Sequence, residues 1–440
     1  MDVDATALLQ ELLRFDSTNP PGNELPVAEL LARRLGGAGL ETEIFNSPEG
    51  RPSLVATLEG PAERPALVLL SHTDVVGVET EQWSHDPFGG AIDQGFIWGR
   101  GALDMKGIAA MHAATAMTLA GSGTTPQREV IVVVVADEEA GGAQGAEWLV
   151  SEHPEVVGFA EGRPAPDVLG EGGFGLTGVI DSPILPIVAG EKSALWLRFE
   201  ATGDPGHGSM PPRHNAVENT ARFLNKVTGF SPPRVHPVMR EQLRRLAAAT
   251  SGTQGRALRA LASGAGPVVA RAVAGRLRDA GTLGALLSDT VTPTQLEAGY
   301  KGNVVPGRAT GSLDCRLLPD RDPQEFIAGL NRRGQKYGVT VSAGGVHASP
   351  VSRIEGPTYA VLEELSARLA RDAVVVPSLT PGTTDVRVFR RHGAHGYGWV
   401  PLIISPELLA TVHGHDERIP ESGFLTAVEL MTAAVARLAG

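Results

Sequence analysis

Ser71-His72-Thr73-Asp74 and Asp137-Glu138-Glu139 each follow an apolar run of strand length, Leu67 to Leu70 and Val130 to Ala136. Gly99 to Gly107 places Asp104 in a glycine-rich turn just ahead of a helix-like stretch. Glu171 stands among Gly170, Gly172 and Gly173, and His413-Gly414-His415-Asp416-Glu417-Arg418 lies near the C-terminus. Histidines and carboxylates are the ligand types of a hydrolytic zinc pair, and such a site needs no cysteine. In extended chain, residues two apart point the same way. His72 can therefore hold a metal while Asp74 accepts its other ring N–H and fixes the tautomer. Glu138 and Glu139 are adjacent and point to different sides, so one can bind metal while the other stands free as a base. Each piece alone has a bland reading: a His-x-Asp arises by chance, and a Glu-Glu pair is usually solvated surface. The joint pattern is more specific, because acids buried together need cations to neutralise them.

The elements that must carry these residues read as alternating helices and strands. The N-terminal stretch to Phe15 is amphipathic, with Leu8, Leu9, Leu12 and Leu13 on one side, and the breaker run Asp16 to Gly22 ends it. A second helix is expected from Leu25 to Gly36, and a third from Gly107 to Leu119. Strand-like runs stand at Ser53 to Leu58, Ala66 to Leu70 and Glu129 to Ala136. A buried parallel strand reads as continuous apolar residues, as Val130 to Val135 does. Near Ile187 the pattern changes: Ser193 to Thr202, Thr290 to Ala298 and Ala309 to Leu317 alternate like half-exposed antiparallel strands. We expect an α/β catalytic domain, with a mixed, largely parallel sheet flanked by helices, interrupted by a smaller α+β lid of the dimerisation type. Residues 1–186 and 352–440 would form the catalytic domain and 187–351 the lid, with an extra helical segment at 232–287. Ligands of an open α/β sheet gather at the carboxyl ends of strands, where His72, Glu138 and Glu139 stand.

Composition narrows the classes further. With 42% hydrophobic and 20% charged residues the chain can build a core, which excludes wholesale disorder. A net charge of -12 argues against nucleic acid or an anionic membrane as a partner. The single cysteine, Cys315, excludes an internal disulfide and a thiolate zinc cluster, and its apolar neighbours place it in the lid core. The N-terminus opens acidic, unlike a secretory signal, and no apolar run reads as a membrane span, so a cytoplasmic location is expected. Gly170 to Gly175 matches the dinucleotide fingerprint, but Pro183 and Pro186 follow where a helix should open, so a nucleotide reading is set aside. Neither a Walker loop nor a G-x-S-x-G elbow is present.

In order along the chain, the motifs run from Phe15 to Gly22 and His72 to Val76, through Trp83 to Phe88, Asp104 to Gly107 and Asp137 to Glu139. They continue through Gly206-His207-Gly208-Ser209, Gly302 to Pro306, Gly382-Thr383-Thr384-Asp385 and His413 to Arg418. This series resembles the cocatalytic dizinc metallopeptidases and amidohydrolases that include aminoacylase, carboxypeptidase G, acetylornithine deacetylase and succinyl-diaminopimelate desuccinylase. The resemblance implies that Asp104 bridges two metal ions, that His72 and Glu171 complete one and that Glu139 and His413 complete the other. It implies zinc, with cobalt or manganese as alternatives. Glu138 becomes the general base and acid, and Asp74 orients His72. His415 is the alternative to His413, whose spacing from Glu417 matches the family better. In relatives a lid histidine reaches a partner's active site and polarises the scissile carbonyl; here that residue is His207, which implies a homodimer through the lid. Arg316 and Asn303, with Gly382 and Thr383, take the places of substrate-binding residues.

The expected activity is hydrolysis of an amide or peptide bond next to a free carboxylate, in an N-acyl amino acid or a short peptide. A water acidified by the two metals attacks the carbonyl, with Glu138 as base. One rival is a ureido or N-carbamoyl amino acid amidohydrolase of the same family. Another is a non-catalytic metal-binding protein, which would have no use for the free base Glu138.

Overall fold

Continuous runs of buried apolar residues form the centre of an eight-stranded sheet. The computed structural model describes residues 3–279 and 281–440. Across the large sheet the strands run Glu41–Asn46, Pro52–Leu58, Val130–Val135, Leu67–His72, Asp167–Leu176, His395–Ile404, Ile184–Glu191 and Val374–Thr380. The pairings of Leu67–His72 with both its neighbours are parallel, as are those of Asp167–Leu176 with His395–Ile404 and of Ile184–Glu191 with Val374–Thr380. The sheet is therefore mixed and largely parallel, with helices packed on its faces.

The helix Lys106–Gly121 is buried along nearly its whole length, from Lys106 through Met117. The terminal helix Glu421–Ala439 shares a core with it, and Thr115 Oγ1 and Thr432 Oγ1 meet at 3.1 Å. By length and apolar composition alone this terminal helix would pass as a membrane span. Phe424, Ala427, Met431, Ala434 and Val435 instead lie inside the core, each such side chain contributing about 1.5–3 kcal/mol when large.

A second, fully antiparallel sheet holds Gly229–Phe230, Thr290–Ala298, Arg308–Leu317, Ser193–Thr202 and Val339–His347 in that order. Its inner face, with Leu197, Phe199, Leu313 and the buried Cys315, packs against Phe223 and Leu330 of the helices Ala216–Val227 and Pro323–Gly334. Asn215 caps the first of these helices through the Val217 and Glu218 N–H groups. The boundary read at 187 falls inside a strand: Ile184–Glu191 is continuous and stays in the large sheet, so the chain changes sheet only at Lys192. The residues between Gly229–Phe230 and Thr290–Ala298 form short helices from Pro237–Ala249 to Thr282–Leu286. They are more than an extension of the lid. Leu246 packs with Ile184 and Val376, and Arg245 donates to the Val375 carbonyl at 3.1 Å, so Pro237–Ala249 lies along the outer strand of the large sheet.

Candidate metal centre

Strand ends and the loops beside them deliver the ligand-type residues. Leu67–His72 ends at His72, and Val130–Val135 runs into the short turn Glu138–Ala140. Glu171 lies within Asp167–Leu176, where glycines let two strands approach: a Cβ at Gly398 would stand 2.2 Å from the Glu171 carbonyl oxygen. Asp104 precedes the helix Lys106–Gly121, and His413 lies in the loop before Arg418–Pro420.

Asp104 stands at the centre. Its Oδ1 is 3.3 Å from His72 Nε2 and its Oδ2 is 3.2 Å from His413 Nε2. His413 Nε2 also lies 3.3 Å from Glu139 Oε2, and His72 Nε2 lies 3.8 Å from Glu171 Oε2 and 4.0 Å from Glu138 Oε2. Asp104 thus faces both histidines, while the two groups whose ligand atoms all lie within 4.8 Å, His72 with Glu138 and Glu171 and His72 with Asp104 and Glu139, share His72. His72 Nε2 and Glu139 Oε1 are buried without a hydrogen-bond partner, and one ligand atom each from His72, Asp104 and Glu139 falls within 4.8 Å of the others. Orphaned ligand atoms among excess carboxylates fit a pair of divalent cations. Of the two terminal histidines only His413 faces this cluster; His415 Nε2 lies 3.9 Å from Glu79.

Electrostatics agree with that fit. Burial lowers the pKa of His72, but its hydrogen bonds to Asp104, Asp74 and Glu171 outweigh burial and raise it well above the usual value. Hydrogen bonds to Asp104 and Glu139 push His413 up to about 10. Burial, then the charge of Glu171, raises Glu138 well above the carboxylate range. Glu171 is pushed up to about 8, first by burial.

A surrounding layer fixes these groups. Asp74 Oδ1 lies 3.4 Å from His72 Nδ1, while the closer partner of that nitrogen is the Asp74 main-chain carbonyl at 3.0 Å. Asp74 Oδ2 also accepts from Asn19 Nδ2 at 2.8 Å. Asp137, which precedes the two glutamates, has left-handed backbone at φ +69°, a conformation costing of order 1–3 kcal/mol for a non-glycine residue. Asn19 and Arg51 hold its Oδ1, and the Gln144 N–H holds its Oδ2. The wholly buried Glu417 accepts from the Leu103 and Asp104 N–H groups at 2.7 and 3.0 Å, and pairs with Arg100, which donates to the Gly414 carbonyl. It thereby joins the loops of Asp104 and His413. Asn19, Arg100 and Glu417 stand in motifs read from the sequence without a role of their own, and Arg51 was not singled out. Asp385, the last residue of the Gly382-to-Asp385 motif, was likewise given no role: it lines one small cavity with His72 and Glu171, and both its oxygens are buried without a hydrogen bond.

Of the remaining sequence-chosen residues, His207, Asn303 and Arg316 stand outside these contacts. His207 is exposed in a short ribbon, its Nδ1 2.7 Å from Ser209 Oγ, and the Gly208 N–H donates to the Asn303 carbonyl. Arg316 is engaged by Asp314 through two hydrogen bonds, at 2.7 and 3.0 Å. Gly382 and Thr383 follow the strand Val374–Thr380 and lead into Asp385. Among the described residues, no hydrogen bond or ion pair joins His207, Asn303 or Arg316 to the ligand cluster.

Comparison with known proteins decides the family. Residues 68–437, most of the chain, match the pattern of peptidase family M20/M25/M40. The chain belongs to this family. Aminoacylase-1 of Sus scrofa is 29% identical over 451 residues, covering 99% of this chain and 95% of that protein. An M20 family metallo-carboxypeptidase from Sulfolobus solfataricus superposes with a TM-score of 0.75 at 20% identity, over 100% of this chain and 99% of the other. A dinuclear metal-binding M20 peptidase from Bacillus subtilis superposes with a TM-score of 0.60 at 15% identity, over 99% of this chain and 97% of the other. This M20 chain is a hydrolytic enzyme, with the catalytic-and-lid architecture of its structural neighbours.

Proposed function

We propose that this M20 hydrolase cleaves the amide bond of an N-acyl amino acid or short peptide next to a free carboxylate, using two divalent ions with zinc the first choice. His72, Asp104, Glu139, Glu171 and His413 would hold the ions. The observation that carries this reading is the division of Asp104, one oxygen toward His72 and the other toward His413. When bound, the metal pair supplies Lewis acidity, acidifying a water and polarising the scissile carbonyl.

The chain's own groups do the rest. Glu138 sits in the cluster without serving as one of the five ligands, and its raised proton affinity suits a group that takes a proton from water and passes it to the leaving nitrogen. Asp74 keeps His72 oriented and the glutamate turn in place. Arg316 binds the substrate carboxylate by exchanging its present partner, Asp314, for it. The exposed His207–Asn303 ribbon is free to face a second copy of the chain, so the reading includes a homodimer that completes the site through the lid, acting in the cytoplasm.

A panel of N-acyl amino acids, dipeptides and N-carbamoyl amino acids, with zinc, cobalt or manganese supplied, tests the reading. Turnover of an acyl amino acid or dipeptide that chelation abolishes supports it. Preference for the N-carbamoyl compounds would replace it with the ureido reading, and no metal-dependent turnover would overturn it.

A further inference from the structure

Glu191 ends the strand Ile184–Glu191, and the next residue starts the crossing to the second sheet. Its side chain is wholly buried. One oxygen accepts both the Thr384 N–H and the Thr384 hydroxyl, each at 2.8 Å. The other accepts the Ser349 hydroxyl at 3.1 Å and lies 3.4 Å from Arg390 Nη1. Ser349 belongs to the return crossing, and its N–H donates to Ser193 Oγ of the outward one. Three residues later the Ser352 N–H donates to the Ala189 carbonyl. Thr384 immediately precedes Asp385, which shares a small cavity with His72 and Glu171. A single carboxylate thus joins both crossings between the sheets to the loop that faces the ligand cluster.

We propose that Glu191 is a positioning residue for the reaction, holding the Gly382–Asp385 loop against the metal-ligand residues and tying that loop to the lid crossings. The proposal rests on the hydrolase reading of the site. A purely structural buried ion pair would need only the contact with Arg390, which is the longest of the four and which Arg390 supplements by donating to the Gly396 carbonyl. The three shorter contacts come from neutral donors on two separate segments, an arrangement that fixes geometry rather than balances charge. Lys192, next in the chain and also buried, donates to the Ala285 and Ser288 carbonyls, so the outward crossing is anchored on its far side to the inserted helices. Glu191 therefore works from a fixed frame.

The isosteric Glu191→Gln keeps the shape but presents an amide NH2 to donors on one side. Hydrogen exchange on the full chain should show the amides of 382–385 and 349–352 opening together, while 67–72 stays protected. With metal content equal to the parent, kcat should fall about ten- to a hundredfold, more than KM changes. Ser349→Ala, which cuts only the tie to the lid crossing, should lower kcat in the same direction and combine non-additively with Glu191→Gln. If Glu191→Gln does not fold, Thr384→Val and Ser349→Ala carry the test. Parental exchange in both segments, or a lowered Tm with parental kcat and KM, overturns the proposal. Exchange needs no substrate, so an inactive parent would count against the hydrolase reading while exchange still judged the positioning.

Discussion

The Asp74 carboxylate accepts the main-chain N–H of Glu139 at 3.0 Å. Its other oxygen accepts the N–H of Glu138 at 3.2 Å and lies beside His72 Nδ1. One side chain thereby holds the turn that presents both glutamates and stands beside the His72 imidazole. Asp74→Asn can satisfy one side of this arrangement only. We expect about a 10–100-fold loss in metal affinity or kcat/KM, read by competitive chelation and steady-state kinetics. Parental values for both would show that the turn holds itself.

Glu138→Gln should separate binding from turnover. The variant keeps every proposed ligand, so metal content should match the parent. Loss of a positioned base costs typically 10²–10⁴-fold in kcat. Near-parental kcat with metal retained would remove Glu138 from the mechanism.

Metal loading should depend on pH in a direction set by the cluster. His413 is raised from its ordinary 6.5 to about 10, and Glu171 from 4.5 to about 8. Between those values the folded metal-free protein binds more protons than the unfolded chain, so its stability falls as pH rises. The Tm of the metal-free form should therefore be lower at pH 9 than at pH 7. Metal displaces these protons, so the gain in Tm on adding zinc should grow over the same interval. A metal-free Tm that climbs across this range would contradict the assignment.

Arg316 gives a test of substrate class. A half-buried, solvent-accessible Arg316–Asp314 pair is worth roughly 0–1 kcal/mol and its loss should hardly touch kinetics. A charge-assisted bond to a substrate carboxylate is worth roughly 1.5–3 kcal/mol, so Arg316→Ala should lower kcat/KM about ten- to over a hundredfold. The loss should vanish on the carboxamide of the same substrate. If the parent hydrolyses acid and carboxamide equally well, the carboxylate clamp is wrong.

The candidate ligands were legible as candidates because most of them follow apolar strands or interrupt glycine runs, where a carboxylate has no structural reason to stand. Their supports were not. Glu417 meets the Asp104 loop across more than three hundred residues, and Asn19 meets Asp74 from a loop that reads only as a breaker run. The strands His395–Ile404 and Val374–Thr380 were hidden by the glycines and proline within them, which the sheet accommodates where strands diverge and at its outer edge. The inserted helices are readable as helices, but their seat along Val374–Thr380 depends on Arg245 and Leu246 finding partners far along the chain.

Asp104 is the residue on which the account turns, since its two oxygens divide between His72 and His413. The most direct measurement is anomalous diffraction from crystals grown with zinc. Two peaks about 3.5–4 Å apart, one on each side of the Asp104 carboxylate, are the predicted result. A single peak, or two peaks that do not share Asp104, would contradict it.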